Sequence, residues 1–310
     1  MAVPTSTSNW GKVLDSLVDS LFYQDLQQTP QKYTQIFHVA NMSTAQIRHL
    51  TGVGFEDWRQ SAEAQATSYT ENIQGFDKRY VPTVWKSGFT VTRELRDDAR
   101  FKEVADGTSE LARTAVRTID KEAAKMLNNA TNTTYFSGAD TSALAATHTG
   151  EDGSASIDNA VSGVLNETNL ETADVYYQEL VDGRNQLVES NPDTLLVPPA
   201  LAKEAKILMM STGRPATGDN DTNVYQNAFN VMVWKRLANS QGGSDTAWML
   251  LDSNYNKRGD EKGLNIFMRV RPEIQTEIEV ETGVKKYVGY MRFAEGFTDF
   301  RGVYHSTGTS

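Results

Sequence analysis

The chain has 310 residues, a formal net charge of −10 and no cysteine. Its length suffices for one large domain or two ordinary ones with a sizeable core, and its 39% hydrophobic and 23% charged residues fit a globular protein with extended, partner-dependent parts. The absence of cysteine excludes disulfides, thiolate metal sites and cysteine nucleophiles, while the acidic balance disfavours a protein that grips nucleic-acid phosphates over its whole surface.

Neither a targeting signal nor a membrane segment is visible in the sequence. Residues 1–12 lack the basic region and apolar core of a signal peptide. No stretch approaches the roughly 18 apolar residues of a membrane helix. We therefore expect a protein that is made in the cytosol and contacts no membrane.

The first helical pattern lies near the N-terminus. Apolar residues recur there at the spacing of one helix face, and they are Val13, Leu14, Leu17, Val18, Leu21 and Phe22. A helix of about ten residues is marginal alone, so this face packs either on the core of its own chain or on a neighbouring subunit. Residues 24–54 are mixed and polar, with a break at Thr29-Pro30, and we interpret them as an arm with little core of its own.

Aromatic residues mark the segment from residue 55 to residue 92. They alternate with polar residues and are Trp58, Tyr69, Phe76, Tyr80, Trp85 and Phe89. This pattern predicts a long two-stranded hairpin that turns near Gln74-Gly75. Because an isolated hairpin is marginally stable in water, its aromatic side chains need a surface, either on the parent domain or on another chain.

The longest helical pattern runs over residues 105–130. One face is apolar, formed by Val104, Leu111, Ala115, Ile119, Ala123, Met126 and Ala130. Charged residues occupy the other faces, and no proline interrupts the pattern. At 1.5 Å per residue such a helix is roughly 39 Å long, so we predict that it forms the spine of a domain.

The second half of the chain alternates between loops and short elements. Residues 128–166 are rich in Asn, Thr, Ser, Gly and Asp, which predicts a long loop. The patterns that follow predict a helix from Thr168 to Val188, a strand over residues 195–197, a helix over residues 200–210, and strands over residues 224–234, 247–251 and 264–270.

A final hairpin is predicted near the C-terminus. Ile274, Ile278 and Val280 alternate with glutamates, and Thr282-Gly283 supplies a turn. If the loop has two residues, Glu279 lies opposite Lys286.

Catalytic and ligand-binding motifs are incomplete throughout. Gly213 and Gly218 have the spacing of a phosphate loop, but Asp219 and Asn220 replace the required Lys and Ser or Thr. A calcium loop beginning at Asp219 lacks its glycine and its terminal glutamate. The four histidines are scattered, and no G-x-S-x-G motif occurs. We therefore predict no catalytic, cofactor or metal site, and a protein that is not an enzyme.

The order of several short motifs resembles a known family. These motifs are Gly88-Phe89-x-Val91-Thr92-Arg93-Glu94, Asp97-Asp98, Ala145-Ala146-Thr147-His148, Asp193 to Ala200, Ala247 to Leu251, and Arg292-Phe293 to Tyr304. Their joint order resembles the major capsid proteins of tailed bacteriophages, which share the Hong Kong ninety-seven fold. The likeness is greatest to the major head subunit of Mu-like phages and covers about residues 20 to 306.

The resemblance implies an α+β fold of five parts. They are an N-terminal arm (residues 1–53), an extended hairpin loop (54–93), a peripheral domain with the spine helix (94–192), an axial domain (193–271), and terminal strands that return to the peripheral domain (272–310). It also implies contacts between subunits through the arm and the hairpin. The residues expected there are Leu14, Leu17, Leu21, Trp58, Tyr69, Phe76, Lys78, Arg79 and Trp85.

The function implied is structural. Many copies, arranged as hexamers and pentamers, are expected to assemble in the host cytoplasm into an icosahedral virion shell. The expected partners are a separate scaffolding protein, a portal, a decoration protein as a further candidate, and packaged double-stranded DNA held without sequence-specific contacts. Two alternatives stay open: a nanocompartment shell of the same fold that encloses cargo enzymes, and a soluble hydrolase using carboxylates of residues 128–166.

Overall fold

The computed structural model combines helices with two main sheets. It describes residues 7–52, 58–67, 69, 74–98, 101–150, 153, 156–214, 221–258 and 263–309, with the backbone alone at residues 7–15, 52, 74, 96, 97 and 101. The described helices are α1 (Thr7–Gln28), α2 (Arg93–Asp97), α3 (Phe101–Asn128), α4 (Glu167–Gln178), α5 (Ala202–Met210) and α6 (Ser253–Asn256). The described strands are β1 (His38–Asn41), β2 (Ile47–Gly52), β3 (Gln74–Tyr80), β4 (Thr83–Val91), β5 (Thr147–Thr149), β6 (Ser156–Asp158), β7 (Ala160–Val161), β8 (Thr194–Val197), β9 (Asn230–Val233), β10 (Trp248–Leu251), β11 (Leu264–Ile278), β12 (Lys285–Phe297) and β13 (Val303–Ser306).

The first sheet has the strand order β1-β11-β12-β4. Its centre is the long antiparallel hairpin of β11 and β12, which confirms the hairpin predicted near the C-terminus. The condition of a two-residue loop is not met, because Ile278 pairs with Lys285 and six residues connect the strands. Glu277 is therefore the backbone partner of Lys286. The Lys286 Nζ nevertheless lies 3.0 Å from the Glu279 Oε1, since the longer loop brings that side chain back.

The predicted spine helix is confirmed as α3, a helix of 28 residues. Its buried face carries apolar side chains at helical spacing, including Val104, Leu111, Val116, Ile119, Ala123 and Met126. Part of this face packs on β12 of the first sheet. The same hydrophobic core includes Ile119, Phe293 of the first sheet and Leu250 of the second. The helix therefore joins the two sheets through one continuous core.

The N-terminal helix α1 has 22 residues, about twice the predicted length. It packs along α3. Val18 lies in a buried cluster with Val104, and Phe22 lies in another with Leu111. Within a single chain the apolar face of the helix thus packs on its own core, which was the first of the two alternatives.

The segment after α1 has more core than the sequence predicts. Tyr33, Ile36 and Phe37 are almost fully buried in the main core. Strand β1 pairs in parallel with β11. The interpretation of residues 24–54 as an arm with little core of its own is therefore wrong beyond Pro30, because short apolar clusters here fill gaps that no periodic pattern reveals.

The aromatic hairpin is arranged differently from the prediction. Strand β3 pairs with β2, whereas β4 pairs with β12. The predicted turn near Gln74-Gly75 is wrong, since both residues lie in β3. The described part of residues 55–92 contains one strand from each of two sheets, and aromatic content alone cannot distinguish this from a local hairpin.

The second sheet has the strand order β7-β13-β10-β8-β9. All four residues are buried in each of β8, β10 and β13, which fits their apolar sequences. The strand predicted over residues 195–197 is confirmed as β8. The terminal strands do not all return to the sheet beside α3, because β13 pairs with β10. The axial boundary at residue 271 also cuts through β11, which belongs to the first sheet.

Helix α4 begins and ends earlier than predicted. Asn166 is its N-cap and accepts a hydrogen bond from the Asn169 backbone N–H, so the first helical residue precedes Thr168. The helix ends at Gln178 and not near Val188. Asp182 forms a turn instead, and its carboxylate accepts backbone hydrogen bonds from residues 184 and 186.

The predicted loop over residues 128–166 holds three short strands, β5 to β7. Strands β5 and β6 form a small hairpin, while β7 joins the edge of the second sheet. Within the described ranges, each helix falls short of the length or apolar character that crossing a membrane requires.

Candidate assembly interface

The pair of strands β2 and β3 forms a sheet separate from the two main ones. Residues 58–67 between these strands are exposed throughout. Two large aromatic residues of this connection, Trp58 and Tyr69, are 101% and 93% exposed. Exposure of such large apolar side chains to water is unfavourable, and they are frequent anchors of protein interfaces. The connection between β2 and β3 is therefore the first candidate contact surface.

The base of this hairpin is fixed to the rest of the chain. The Lys78 Nζ donates a hydrogen bond to the Ser137 carbonyl, and burial lowers the pKa of Lys78. Tyr80 is buried against Phe267, and its hydroxyl lies 2.6 Å from the Thr298 hydroxyl. The hairpin thus has a fixed base in contrast to its exposed connection.

A charge pair crosses the two strands of the hairpin. Arg48 lies 2.6 Å from the Asp77 carboxylate. The hydrogen bond from Arg48 holds the pKa of Asp77 below its usual value. Both side chains are substantially exposed, so the pair contributes to strand register more than to stability.

The second candidate surface is the outer face of α1. Leu17 is 44% exposed and Tyr23 is 46% exposed, while Leu21 is half-buried. Val18 and Phe22 face the spine helix, whereas Leu17 lies on a side of α1 that the described residues leave exposed. Leu14 was also predicted to make contacts, but its side chain lies outside the described residues.

The remaining predicted contact residues divide into two groups. Arg79 is exposed, and Phe76 and Lys78 are half-buried at the base of the hairpin. Trp85 is a correction: it belongs to β4, stacks on Phe293 at 5.7 Å between ring centroids and packs against the main core. It is not part of the hairpin, so its side chain stabilises the subunit itself.

Several exposed apolar residues were not predicted as contact residues. Met210 at the end of α5 is 66% exposed, Val224 is 80% exposed, and Val280 in the turn between β11 and β12 is 94% exposed. For Val280 the signal was present in the sequence, because it alternates with glutamates at a hairpin end. For the other two, the neighbouring buried residues mask the pattern.

Among the carboxylates proposed for a hydrolase, Asp140 lies in the part of the segment that the structure describes, and it is held in a pair with a buried histidine. Asp140 binds His148, with 2.6 Å between the Oδ2 and the Nδ1. The His148 side chain is fully buried and stacks on Phe300 at 3.5 Å between ring centroids. A substrate has no access to this imidazole, so the pair serves to fix the loop that contains it.

Two glutamates lie between the spine helix and β12. Glu122 on α3 is buried, and its Oε2 lies 3.3 Å from the Lys125 Nζ. Glu295 on β12 is half-buried. Burial and then the negative charge of Glu122 raise the pKa of Glu295 to about 7, against the opposing effect of Lys125. Glu295 therefore keeps its proton to a higher pH in the folded subunit than an exposed glutamate does.

This raised pKa predicts a pH-dependent stability. The folded state retains a proton that the unfolded state loses above the ordinary glutamate pKa of 4.5. The contribution of Glu295 to the stability of the folded subunit is therefore full below that pH and is lost as the pH rises towards 7. We expect Glu295→Gln to reduce the fall in unfolding free energy between pH 4.5 and 7. At pH 8 the unfolding free energy of this variant should exceed that of the wild type by at least about 1 kcal/mol. Urea unfolding of the unassembled subunit between pH 4.5 and 8 measures this.

The control for this experiment is Glu277→Gln, which makes the same change of charge at an exposed site of β11. It is expected to change the unfolding free energy by less than about 0.5 kcal/mol. Parallel pH profiles of wild type and Glu295→Gln would contradict the assignment.

Comparison with known proteins places these features in a class. The capsid of cyanophage P-SCSP1u superposes with a TM-score of 0.57 at 10% identity, covering 90% of this chain and 88% of that chain. The procapsid of bacteriophage JBD30 superposes with a TM-score of 0.53 at 14% identity, covering 97% of this chain and 76% of that chain. The virus-like particle from Pyrococcus furiosus gives 0.55 at 8% identity, covering 94% and 98%. The chain thus has the fold of capsid shell subunits, and the predicted α+β fold of Hong Kong ninety-seven type is confirmed.

Comparison of the sequence with protein-family models identifies the family within this class. Residues 75–306 match the phage capsid protein family. Because this match covers most of the chain, the protein belongs to the phage capsid protein family. A comparison with curated proteins finds no match. The protein is accordingly a structural, non-enzymatic major capsid protein that self-assembles into the icosahedral shell of a bacteriophage.

Proposed function

We propose that this subunit forms the head of a tailed phage and encloses double-stranded DNA. The observation that carries the proposal is the pair of exposed apolar surfaces, the β2–β3 connection and the outer face of α1, on a chain of the phage capsid family. Subunits with such surfaces can complete one another, and many modest contacts together hold a closed shell. The net charge of −10 repels DNA from the wall, so the packaged DNA is contained without being bound.

The proposal extends to the subfamily and the partners. The order of motifs supports a counterpart of the major head subunit of Mu-like phages. Hexamers and pentamers of this chain assemble in the host cytoplasm around a separate scaffolding protein, with a portal at one vertex, and the shell expands as DNA enters. A decoration protein is a further candidate partner.

The structure also supports a revised division into domains. The peripheral domain consists of α3 and the first sheet, including β11 and β12. The axial domain consists of the second sheet with α4 and α5, and it includes β13. The arm comprises α1, and the extended loop comprises β2, β3 and their connection.

Cryo-electron microscopy of native particles tests the proposed content. DNA density and a portal vertex are expected. A nanocompartment shell, which the fold alone also permits, would instead contain enzyme density and have no portal. The match to the phage capsid family favours DNA.

The β2–β3 connection predicts an assembly defect. We expect Trp58→Ser to leave the subunit folded, because the side chain is fully exposed, but to weaken contact between subunits by about 2 kcal/mol per site, a typical loss at an interface anchor. The critical concentration for assembly, measured by light scattering, should rise at least tenfold. The matched control Gln60→Ser removes another exposed side chain of the same connection and should assemble normally.

The outer face of α1 predicts a second assembly defect. We expect Leu17→Asp to give a folded subunit that assembles poorly, since the charge replaces an apolar contact between subunits. Ser20→Asp, at an exposed position one turn further along the helix, is the control for added charge. Size-exclusion chromatography and negative-stain images check the outcome. A normal shell from Leu17→Asp would show that this face of α1 makes no contact between subunits.

A further inference from the structure

Helix α5 has an exposed face that combines apolar and basic residues. This basic face consists of Lys203, Lys206, Ile207 and Met210, which are all exposed and lie together on one side of the helix because they are three, four and seven residues apart. The exposed Glu204 lies at its margin, about 100° around the helix from Lys203. Neighbouring exposed apolar side chains are typical of surfaces that contact another protein. The basic face is therefore a candidate contact surface.

The charge of the basic face indicates what can cover it. Among the described residues, no ion pair joins Lys203 or Lys206 to a carboxylate. Covering a lysine without a counter-charge is costly, because the ammonium group loses its hydration. A partner must therefore supply carboxylates beside the two lysines and apolar groups against Ile207 and Met210.

Helix α4 of the same chain has a surface of this kind. The helix contains three acidic residues and no Lys or Arg, and its C-cap is Glu179. Glu171, Val175 and Glu179 recur every four residues and are exposed, so they form an acidic stripe along one side. Glu167 is paired with Arg214 at 2.8 Å. Within the described ranges, neither glutamate of the acidic stripe has an ion-pair partner.

The basic face and the acidic stripe match in length and in the order of their groups. At 1.5 Å per residue the acidic stripe is about 12 Å long and the basic face about 10 Å. In the acidic stripe a glutamate lies one turn before Val175 and another lies one turn after it. Contact of Val175 with Ile207 therefore places Lys203 beside a glutamate in either direction of the two helices. Apolar side chains then form the centre of the contact and charges its rim, as in other protein interfaces.

The two surfaces lie at different places on the second sheet. Helix α5 packs on β8 and on the edge strand β9. Helix α4 is attached further along the sheet, where the Tyr177 hydroxyl donates a hydrogen bond of 2.7 Å to the Leu250 carbonyl of β10 and Tyr176 packs on Tyr304 of β13. Each copy can thus use one surface towards one neighbour and the other surface towards the next. A head-to-tail contact of this type forms a ring when its rotation closes.

We propose that the basic face of α5 binds the acidic stripe of α4 in a second copy of this chain, and that this contact joins neighbouring subunits within a ring. The contact rests on the proposed function, because it links the subunits of the hexamers and pentamers of the shell. It is a third assembly surface, besides the β2–β3 connection and the outer face of α1.

Two variants with reversed charges test the contact. Lys203→Glu with Lys206→Glu reverses the basic face, and Glu171→Lys with Glu179→Lys reverses the acidic stripe. All four side chains are exposed, so both variants should fold, which circular dichroism checks. Each variant alone brings like charges together and should raise the critical concentration for assembly, measured by light scattering, at least about tenfold. One variant becomes more negative and the other less, so a defect in both cannot result from net charge.

Mixing the two variants distinguishes a contact between copies from an effect within one chain. In an equimolar mixture, alternating copies place lysine against glutamate at each contact of a hexamer. The critical concentration of the mixture should therefore be at least about threefold lower than that of either variant alone. The recovery is partial, because a pentamer cannot alternate.

Two results would overturn the contact: assembly of either reversed variant at the wild-type concentration, and a mixture no better than its components. If a double variant does not fold, Lys206→Glu and Glu171→Lys repeat the exchange, with an expected rise of about threefold for each. The wild type is measured in parallel. Wild-type shells together with unaffected variants would refute this contact alone, whereas a wild type that forms no shell would refute the proposed function as well.

Discussion

Ile119→Asp is expected to unfold the subunit. Ile119 is 2% exposed and lies in the middle of the spine helix, in the core that contains side chains of both sheets. The substitution removes a buried apolar side chain, which alone costs about 2–5 kcal/mol, and places an unpaired carboxylate in the same position. The sum exceeds about 5 kcal/mol, which is comparable to the whole stability of many domains.

Far-ultraviolet circular dichroism and urea unfolding measure this effect. Two controls separate its causes. Ile119→Val should cost only about 0.5–1.5 kcal/mol, because it removes one methylene without adding charge. Lys121→Asp places the same residue on the exposed face of the helix and should leave the subunit folded. A cooperative transition of Ile119→Asp close to that of the wild type would show that the spine helix is not the centre of the core.

The spine helix could be predicted because its signal is local. Seven apolar residues recur at helical spacing, and a helix of this type must bury one face wherever it lies. The β11–β12 hairpin was predictable for the same reason: alternation and a turn within a short stretch determine both strands. For Glu279 and Lys286 even the side-chain contact was correct, although the backbone register was not.

The arrangement of β2, β3 and β4 could not be predicted in this way. Strand β4 pairs with β12, about 200 residues later in the chain, and no local pattern encodes a partner at that distance. Trp85 illustrates the consequence. Its aromatic side chain fits an exposed hairpin and a buried sheet equally well in the sequence, and only the pairing of β4 with β12 places it against Phe293. At Trp58 and Tyr69 no core partner competes for the side chain, so both are exposed and stay predicted contact residues.

The buried ion pair of Asp299 and Arg301 was also invisible in the sequence. The Arg301 Nη1 lies 3.1 Å from the Asp299 Oδ2, and both side chains are close to fully buried. Tyr255 donates a further hydrogen bond to Asp299 at 2.7 Å, and the Arg301 Nε donates to the Val181 carbonyl. This group connects the segment after β12 to α6 and to the turn after α4. Burial acts to raise the pKa of Asp299, but the charge of Arg301 and the hydrogen bonds from Tyr255 and Arg301 outweigh it and hold that pKa below its usual value.

Arg301→Met is the second substitution with a large expected effect. It keeps much of the side-chain volume but leaves the Asp299 carboxylate buried without its cation, which costs about 3–5 kcal/mol. In the wild type the lowered pKa of Asp299 stabilises the folded subunit at pH values above about 3.9, the pKa of an aspartate in the unfolded state. This stabilisation is lost as the pH falls through the folded-state pKa of Asp299. The difference in unfolding free energy between Arg301→Met and the wild type should therefore be largest near pH 7 and should shrink below about pH 4.

The double variant Asp299→Asn with Arg301→Met separates the buried charge from the lost packing. It removes the unpaired carboxylate while retaining an oxygen that accepts the hydrogen bond from Tyr255, so it should recover a large part of the stability that Arg301→Met loses. Urea unfolding of the three unassembled subunits at pH 7 and pH 4 measures the coupling. A loss below about 1 kcal/mol for Arg301→Met would show that solvent reaches the pair. A double variant no more stable than the single one would show that Arg301 acts through its contacts with Val181 and Phe300 and not through its charge.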